Sequence, residues 1–343
     1  MIKIGKREIS KKSKPLIVAE IGINHFGSLP LAKKIVDNIK ATGAEAVKVQ
    51  IHIPEEEMCE EAKKIIPGNS KKNIFKIISE NSLSLDEELE LKKYIEKKKL
   101  IYIATPFSYK AAKWLNSKNI KIFKIGSGEC NNLPLIEYIC KFKKPMIVST
   151  GMNSLKSISR TVKILNKYKI KHILLHCVNL YPVNYNLIRL NKIKTLEKKF
   201  KKSIIGYSDH SVGNSIPIAA LGMGAKLIEK HFVISRDKKG PDTICSMNKN
   251  ELKNLIDHSK KIYQALSLTT DTIRQEEVTR RFAFHSVVSK TEIRKGEKFN
   301  QNNLTTKRPG TGDFLASQMK KLYGKTAKVK INKNVLIRKN YLK

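Results

Sequence analysis

The sequence predicts an eight-stranded parallel β/α (TIM) barrel followed by a small, mostly-β module. Short β-branched runs recur eight times, with amphipathic, helix-like stretches between them. The runs are apolar at most positions rather than strictly alternating, as in strands buried on both faces. Alternation of strand and helix implies parallel βα units, and eight such units suit a closed barrel of ordinary length. An open doubly wound sheet is the alternative. No dinucleotide-type glycine fingerprint follows the first strand, which weighs against it.

The strands are expected, in order, at 16–24, 46–50, 100–107, 122–128, 145–151, 171–178, 203–210 and 226–232. Helices are expected at 29–42, 85–98, 109–117, 133–142, 154–168, 187–200, 212–223 and 250–266. Lysine tracts such as Lys97-Lys98-Lys99 and Lys198-Lys199 fall where helices should end, and cations there complement the helix dipole. The periodicity stops near residue 266. Residues 1–266 are therefore expected to form the barrel, 267–282 a polar linker, and 283–343 a compact, turn-rich module. That module is small enough to need support from the barrel or from a second chain.

Composition narrows the function classes. At 343 residues and 41% hydrophobic content, wholesale disorder is excluded. No apolar run reaches membrane-spanning length, and the basic N-terminus lacks the apolar core of a signal peptide. A cytoplasmic protein with no membrane partner is expected. Cys59, Cys130, Cys140, Cys177 and Cys245 show no metal-type spacing and fit reduced core thiols. The formal charge of +38 could serve nucleic-acid binding or the steering of anionic substrates. The lysines are scattered through every helix, with no aromatic-interleaved basic motif, so solvated faces are the reading and no nucleic-acid partner is expected.

A barrel carries its active site at the C-terminal ends of its strands. Those ends read Glu20; Lys48 and Gln50; Thr105; Lys124, Ser127 and Glu129; Ser149; Asn179 and Tyr181; Ser208, Asp209 and His210; and His231. His210 and His231 end consecutive strands, so their imidazoles can converge on one metal ion, or serve as hydrogen-bonded structural groups. Lys48 and Lys124 lie inside β runs, where an unpaired ammonium is costly. They require anionic partners, either Glu20 and Glu129 or a doubly anionic ligand. The serines, Thr105 and Asn179 could donate hydrogen bonds to phosphate or carboxylate oxygens. Glycines in Gly126-Ser127-Gly128-Glu129 permit close backbone approach to a ligand. Asp242, in the loop after the eighth strand, could reach a polyhydroxylated substrate or be a plain turn carboxylate.

Several stretches resemble the sialic acid synthase family: Ala19–Glu20–Ile21–Gly22–Ile23–Asn24–His25, Thr105–Pro106–Phe107–Ser108 and Lys124–Ile125–Gly126–Ser127–Gly128–Glu129. So do Ser149–Thr150–Gly151–Met152, Asn179–Leu180–Tyr181–Pro182, Ser208–Asp209–His210 and Glu229–Lys230–His231–Phe232. Lys307–Arg308–Pro309–Gly310 is similar to the family's antifreeze-like (SAF) domain. His52–Ile53, Ile66–Pro67–Gly68–Asn69 and Cys130–Asn131–Asn132 look most like the bacterial N-acetylneuraminate synthases.

The resemblance implies condensation of phosphoenolpyruvate with N-acetylmannosamine to give N-acetylneuraminate and phosphate. It implies a divalent metal, manganese or magnesium, on His210 and His231. It also implies a domain-swapped homodimer in which each SAF domain covers the partner's barrel mouth. By similarity, Lys48, Thr105, Lys124, Ser127, Ser149, Asn179 and Ser208 hold phosphoenolpyruvate. Glu20, Gln50, Tyr181, Asp242 and Arg308 contact the amino sugar. Glu20, Glu129, Lys48 and Lys124 are the expected catalytic groups. The alternatives are a legionaminic or pseudaminic acid synthase using a diacetamido-trideoxyhexose, a synthase for a phosphorylated sugar, and an RNA-binding protein on an inactive barrel.

Overall fold

The computed structural model describes residues 1–68 and 70–343. Asn69, one of the residues carrying the likeness to the bacterial enzymes, lies outside the described residues. The chain divides into two units, Met1–Ser267 and Leu268–Lys343.

The first unit opens with a hairpin, β1 (Ile2–Ile4) paired antiparallel with β2 (Arg7–Ile9). The periodicity of the sequence shows no element there. Eight parallel strands follow: β3 (Leu16–Glu20), β4 (Ala46–Ile51), β5 (Ile101–Pro106), β6 (Phe123–Ile125), β7 (Met146–Ser149), β8 (His172–Cys177), β9 (Ile204–Asp209) and β10 (Leu227–His231). They close into a barrel in the order β10-β3-β4-β5-β6-β7-β8-β9. The open-sheet alternative is thereby excluded.

The helices are α1 (Leu29–Ala41), α2 (Pro54–Glu57), α3 (Ile74–Asn81), α4 (Leu85–Lys97), α5 (Tyr109–Ser117), α6 (Leu133–Cys140), α7 (Leu155–Lys167), α8 (Lys192–Lys199), α9 (Ser215–Gly222) and α10 (Lys249–Ala265). Most begin on a side chain that accepts a backbone N–H: Ser28, Asn73, Ser84, Ser108, Asn132, Ser154 and Asn248. Ser84 with Glu87, and Asn248 with Glu251, complete capping boxes. The short α2 and α3 fall in a β–α connection that the periodicity leaves blank. Among the described residues no helix is long and apolar enough to cross a membrane.

Alternate strand residues face opposite ways. One set, including Ile17, Val47, Tyr102, Phe123, Val148 and Leu174, packs against the helices. The other fills the barrel. Its amino-end layers are hydrocarbon: Leu16, Val18, Ala46, Ile103, Ile122, Ile147, Ile173, Leu175, Ile204 and Leu227. Ile2, Ile4 and Ile9 of the hairpin join this cluster and close that end.

In the second unit, α11 (Glu277–Ala283) lies where the sequence suggests a linker. β11 (Ser286–Ser289) and β12 (Leu304–Lys307) pair antiparallel around a core that includes Val287, Ile293, Phe299, Leu304 and Ile337. The rest is turns and short 3-10 segments rather than further long strands.

Candidate active site

At the carboxyl end the inward-facing set changes character. Glu20, Lys48, Gln50, Thr105, Lys124, Ser149, Cys177, Ser208, Glu229 and His231 continue the same alternation that places hydrocarbon below them. Strand pairing sets Glu20 beside Lys48, Gln50 beside Thr105, and Ser208 beside Glu229. Together with Ser127, Glu129, Asn179, Tyr181 and His210 from the following loops, most of these line a cavity of about 180 Å³.

The cavity floor is a chain of charges. Lys48 Nζ lies 2.9 Å from Glu20 Oε2, in ion-pair range but outside hydrogen-bonding geometry. It also lies 3.6 Å from Glu229 Oε1, and Lys124 Nζ is 3.6 Å from that same oxygen. Ser208 Oγ donates to Glu229 Oε1 (3.1 Å), while Lys124 donates to Ser149 Oγ (2.7 Å) and to the Ile125 carbonyl (3.0 Å). Burial would raise the Glu229 carboxyl, but the Lys124 and Lys48 ammonium groups together hold it below its ordinary value. Burial also acts against the Lys48 ammonium, and Glu20 and Glu229 outweigh it, so that group is raised. Lys124 has less compensation, and burial leaves it lowered. An incoming anion would supply what Lys124 lacks. Burial pushes Glu20 up to about 7, and it also raises Glu129, whose Oε2 has no hydrogen-bond partner among the described residues.

Two glycines make room for this arrangement. A Cβ on Gly126 would strike the Glu129 carboxylate, and one on Gly151 would strike the Asn179 side chain and Ser127 Oγ. Gly151 N–H donates to Ser127 Oγ at 3.1 Å.

The imidazoles of His210 and His231 sit side by side, with ring centroids 5.6 Å apart. Nδ1 of His210 is 2.8 Å from the Val178 carbonyl, which can only accept, so Nδ1 carries the proton and Nε2 keeps its lone pair. Nδ1 of His231 is buried, has no hydrogen-bond partner among the described residues, and lies 3.6 Å from Asp242 Oδ2. Burial lowers His210 to about 4 and His231 to about 3, so both rings are neutral at physiological pH. Among the described residues no group of three or more His, Cys, Asp and Glu side chains forms a closed metal cage. Two neutral imidazoles, one with an orphaned nitrogen, fit an open site completed by water and substrate.

Asp209 does not join this rim. It faces outward, where its carboxylate takes the Lys230 ammonium, the Tyr207 hydroxyl (2.9 Å) and the Ser211 hydroxyl (2.9 Å). That buried cluster ties the ends of β9 and β10 together behind the histidines.

A second cavity of about 810 Å³ shares Gln50, Phe107, Asn179, Tyr181 and His231 with the first and adds Asp242. Ile74, Ile77 and Ile78 of α3, with Ile23 and Leu180, make one wall apolar. Gln50 Nε2 donates to Glu20 Oε1 at 3.0 Å. Burial raises Asp242.

The structure thus gathers the barrel residues singled out from the sequence, with Asp209 as the exception. Arg308 belongs to the second unit, where it is exposed and its Nε donates to the Ala283 carbonyl at 3.1 Å. Sequence reasoning missed Glu229 as the carboxylate shared by both lysines. The available signal was its place two residues before His231, on the same strand face. Cys59 is exposed, unlike the other four thiols, so it is not a core residue.

The NeuB family model matches residues 35–270, and the SAF domain model matches residues 284–343. N,N'-diacetyllegionaminic acid synthase of Campylobacter jejuni is 36% identical, covering 95% of this chain and 99% of that protein. The Legionella pneumophila protein of the same name is 32% identical over 86% of each. A crystal structure of N-acetylneuraminic acid (sialic acid) synthetase from Leptospira borgpetersenii, in complex with citrate, superposes with a TM-score of 0.74. It shares 32% identity, covering 82% of this chain and 95% of that one.

Proposed function

The chain belongs to the NeuB family of sialic-acid-synthase-type enzymes and carries an SAF domain, and on that premise we propose that it joins phosphoenolpyruvate to an N-acetylated amino sugar. Phosphate and a nine-carbon keto acid are the products. The observation that carries this reading is the pair of buried ammonium groups, Lys48 and Lys124, flanking one carboxylate beneath two neutral imidazoles.

Lys124 and Lys48 hold the enol phosphate, helped by the hydroxyls of Ser127, Ser149, Ser208 and Thr105 and by the Asn179 amide. Manganese or magnesium on His210 and His231 would supply Lewis-acid polarisation of the open-chain sugar's aldehyde. The enol methylene carbon attacks that aldehyde carbon. Glu20, with its pKa near neutrality, exchanges the proton of the new hydroxyl. Glu129 faces the positive charge that develops at the neighbouring carbon and directs water to it. Loss of that water's proton gives a tetrahedral species, whose carbon–oxygen bond to phosphate then breaks. The ammonium groups stabilise the departing phosphate without having to reorganise.

Two sugars suit the site. N-acetylmannosamine gives N-acetylneuraminate, and Gln50, Tyr181 and Asp242 offer polar groups to its hydroxyls. A diacetamido-trideoxyhexose gives a legionaminic- or pseudaminic-type acid. The isoleucine wall of the larger cavity favours this second reading, because a 6-deoxy methyl and an added acetyl methyl suit hydrocarbon, and the names of two relatives agree with it. In either case Arg308 reaches the sugar from a second copy of the chain, in a domain-swapped homodimer.

Phosphate release from phosphoenolpyruvate with each sugar, followed by product identification by mass spectrometry and NMR, tests the reading. Turnover that disappears with chelator and returns with manganese or magnesium is expected. No phosphate release with any amino sugar would overturn the reaction, and preference for one sugar decides between the two.

A further inference from the structure

Gln50 and Glu20 are not the end of their hydrogen-bonded chain. Gln50 gives its amide N–H to Glu20 Oε1, so its own Oε1 points the other way, to Nε2 of His52 at 3.1 Å. A carbonyl oxygen only accepts, so His52 Nε2 must donate. Nδ1 of the same ring lies 2.9 and 3.1 Å from the two carboxylate oxygens of Glu57. Both ring nitrogens thus face acceptors. The ring is clamped on its flat side as well. It stacks on Phe107 with centroids 4.3 Å apart and planes 9° from parallel. The side chains of His52 and Glu57 are 6% and 7% exposed, so this is a buried pair rather than a surface ion pair.

A side-chain amide has two nearly isosteric orientations, with opposite hydrogen-bonding character. Turned over, Gln50 would set its oxygen against the Glu20 carboxylate. It would also present an acceptor where the cavity now has a donor. The His52 N–H fixes the choice by occupying the amide oxygen. We propose that His52, held by Glu57 and Phe107, is a positioning residue for the amino-sugar side of the reaction. It acts through Gln50 on Glu20, with both of its nitrogens engaged. The inference rests on the reading of the larger cavity as the sugar subsite. Glu57 ends α2, the short helix in the connection after β4. That connection is therefore part of the site's support.

His52→Phe keeps an aromatic ring on Phe107 and removes the donor. His52→Gln restores an N–H near the Nε2 position. In steady-state assays, His52→Phe is expected to raise the sugar KM roughly tenfold or more, as misplaced binding groups do. The phosphoenolpyruvate KM should stay within about twofold, because Lys48 and Lys124 are untouched. His52→Gln is expected to recover most of the loss. An unchanged sugar KM in His52→Phe, or an equal rise in both KM values, overturns the inference. So does His52→Gln behaving no better than His52→Phe. If His52→Phe does not fold, Glu57→Leu against Glu57→Gln replaces it. Only the leucine variant should raise the sugar KM, and two equal variants would refute the clamp. Wild-type protein that releases no phosphate with any amino sugar overturns the reaction itself, and this inference with it. Wild-type turnover beside an indifferent His52→Phe overturns this inference alone.

Discussion

The two ends of the barrel interior are built from the same strands in the same register, yet one is hydrocarbon and the other is charge. At the amino end Ile103, Ile122, Ile147, Ile173 and Ile204 interdigitate, and the N-terminal hairpin seals them with Ile2, Ile4 and Ile9. Two residues further along the same faces stand Thr105, Lys124, Ser149 and, beyond Leu175, Cys177. The contrast separates two jobs. The sealed end excludes water and supplies cohesion. It also gives the charges above it a floor of low polarisability, on which Lys48, Glu229 and Lys124 act on one another more strongly than in water. The price of burying those charges is tolerable because each ammonium has a carboxylate or a hydroxyl beside it.

The contrast can be broken from either end. The largest effect is expected from Lys124→Met, which removes the ammonium with least compensation. Turnover should fall by roughly a thousandfold, as for loss of a preorganised electrostatic group, with the far-UV circular dichroism of the barrel retained. A variant within tenfold of wild type would mean that the charged end does not hold the phosphate.

The reciprocal change is Ile173→Ala at the sealed end. It should destabilise the barrel by about 2–5 kcal/mol, the usual cost of truncating a core isoleucine, as read from denaturant unfolding. Turnover per folded molecule should stay near wild type. A matching collapse of turnover would show that the two ends are not separable.

A smaller effect tests whether the charged end is completed by the second unit. Arg308→Ala should raise the sugar KM roughly tenfold, about 1.4 kcal/mol, and leave the phosphoenolpyruvate KM almost unmoved. Equal shifts would remove Arg308 from the sugar side.

The finest test is acid. His210 and His231 are lowered by burial to about 4 and about 3, against 6.5 for the free side chain. Unfolding therefore takes up protons between those values. In metal-free buffer the stability these rings contribute is complete above pH 6.5 and drains away as pH falls toward 4. Replacing both with asparagine should cut the proton uptake on unfolding at pH 5 by about two. Calorimetric Tm values across pH 4.5–6.5 measure it, and an unaltered slope would mean that the rings are not buried neutral in solution.

Much of this was legible in the sequence because periodicity carries direction. Eight apolar runs separated by amphipathic stretches specify the barrel, and the rule that barrel sites sit at strand ends selects Lys48, Lys124, His210 and His231 from one linear chain. The N-terminal hairpin was not legible, since three-residue strands are too short to show a period. Nor were α2 and α3, which lie in a connection whose shape answers to the cavity rather than to a repeat. The linker expected at 267–282 overlaps α11, a short helix that the polar composition hides.

What the sequence determined by itself is which strand residues point into the barrel: alternation along a strand, counted from its apolar start, selects them. What only the tertiary structure decided is who faces whom across the barrel. Glu229 sits between both lysines, Asp209 turns away to Lys230, and His52 holds Gln50. The charged partners lie far apart in sequence, and His52 stands just past the end of β4, where strand alternation no longer fixes its direction. Their distances are set by strand tilt and barrel closure, which depend on all eight strands at once.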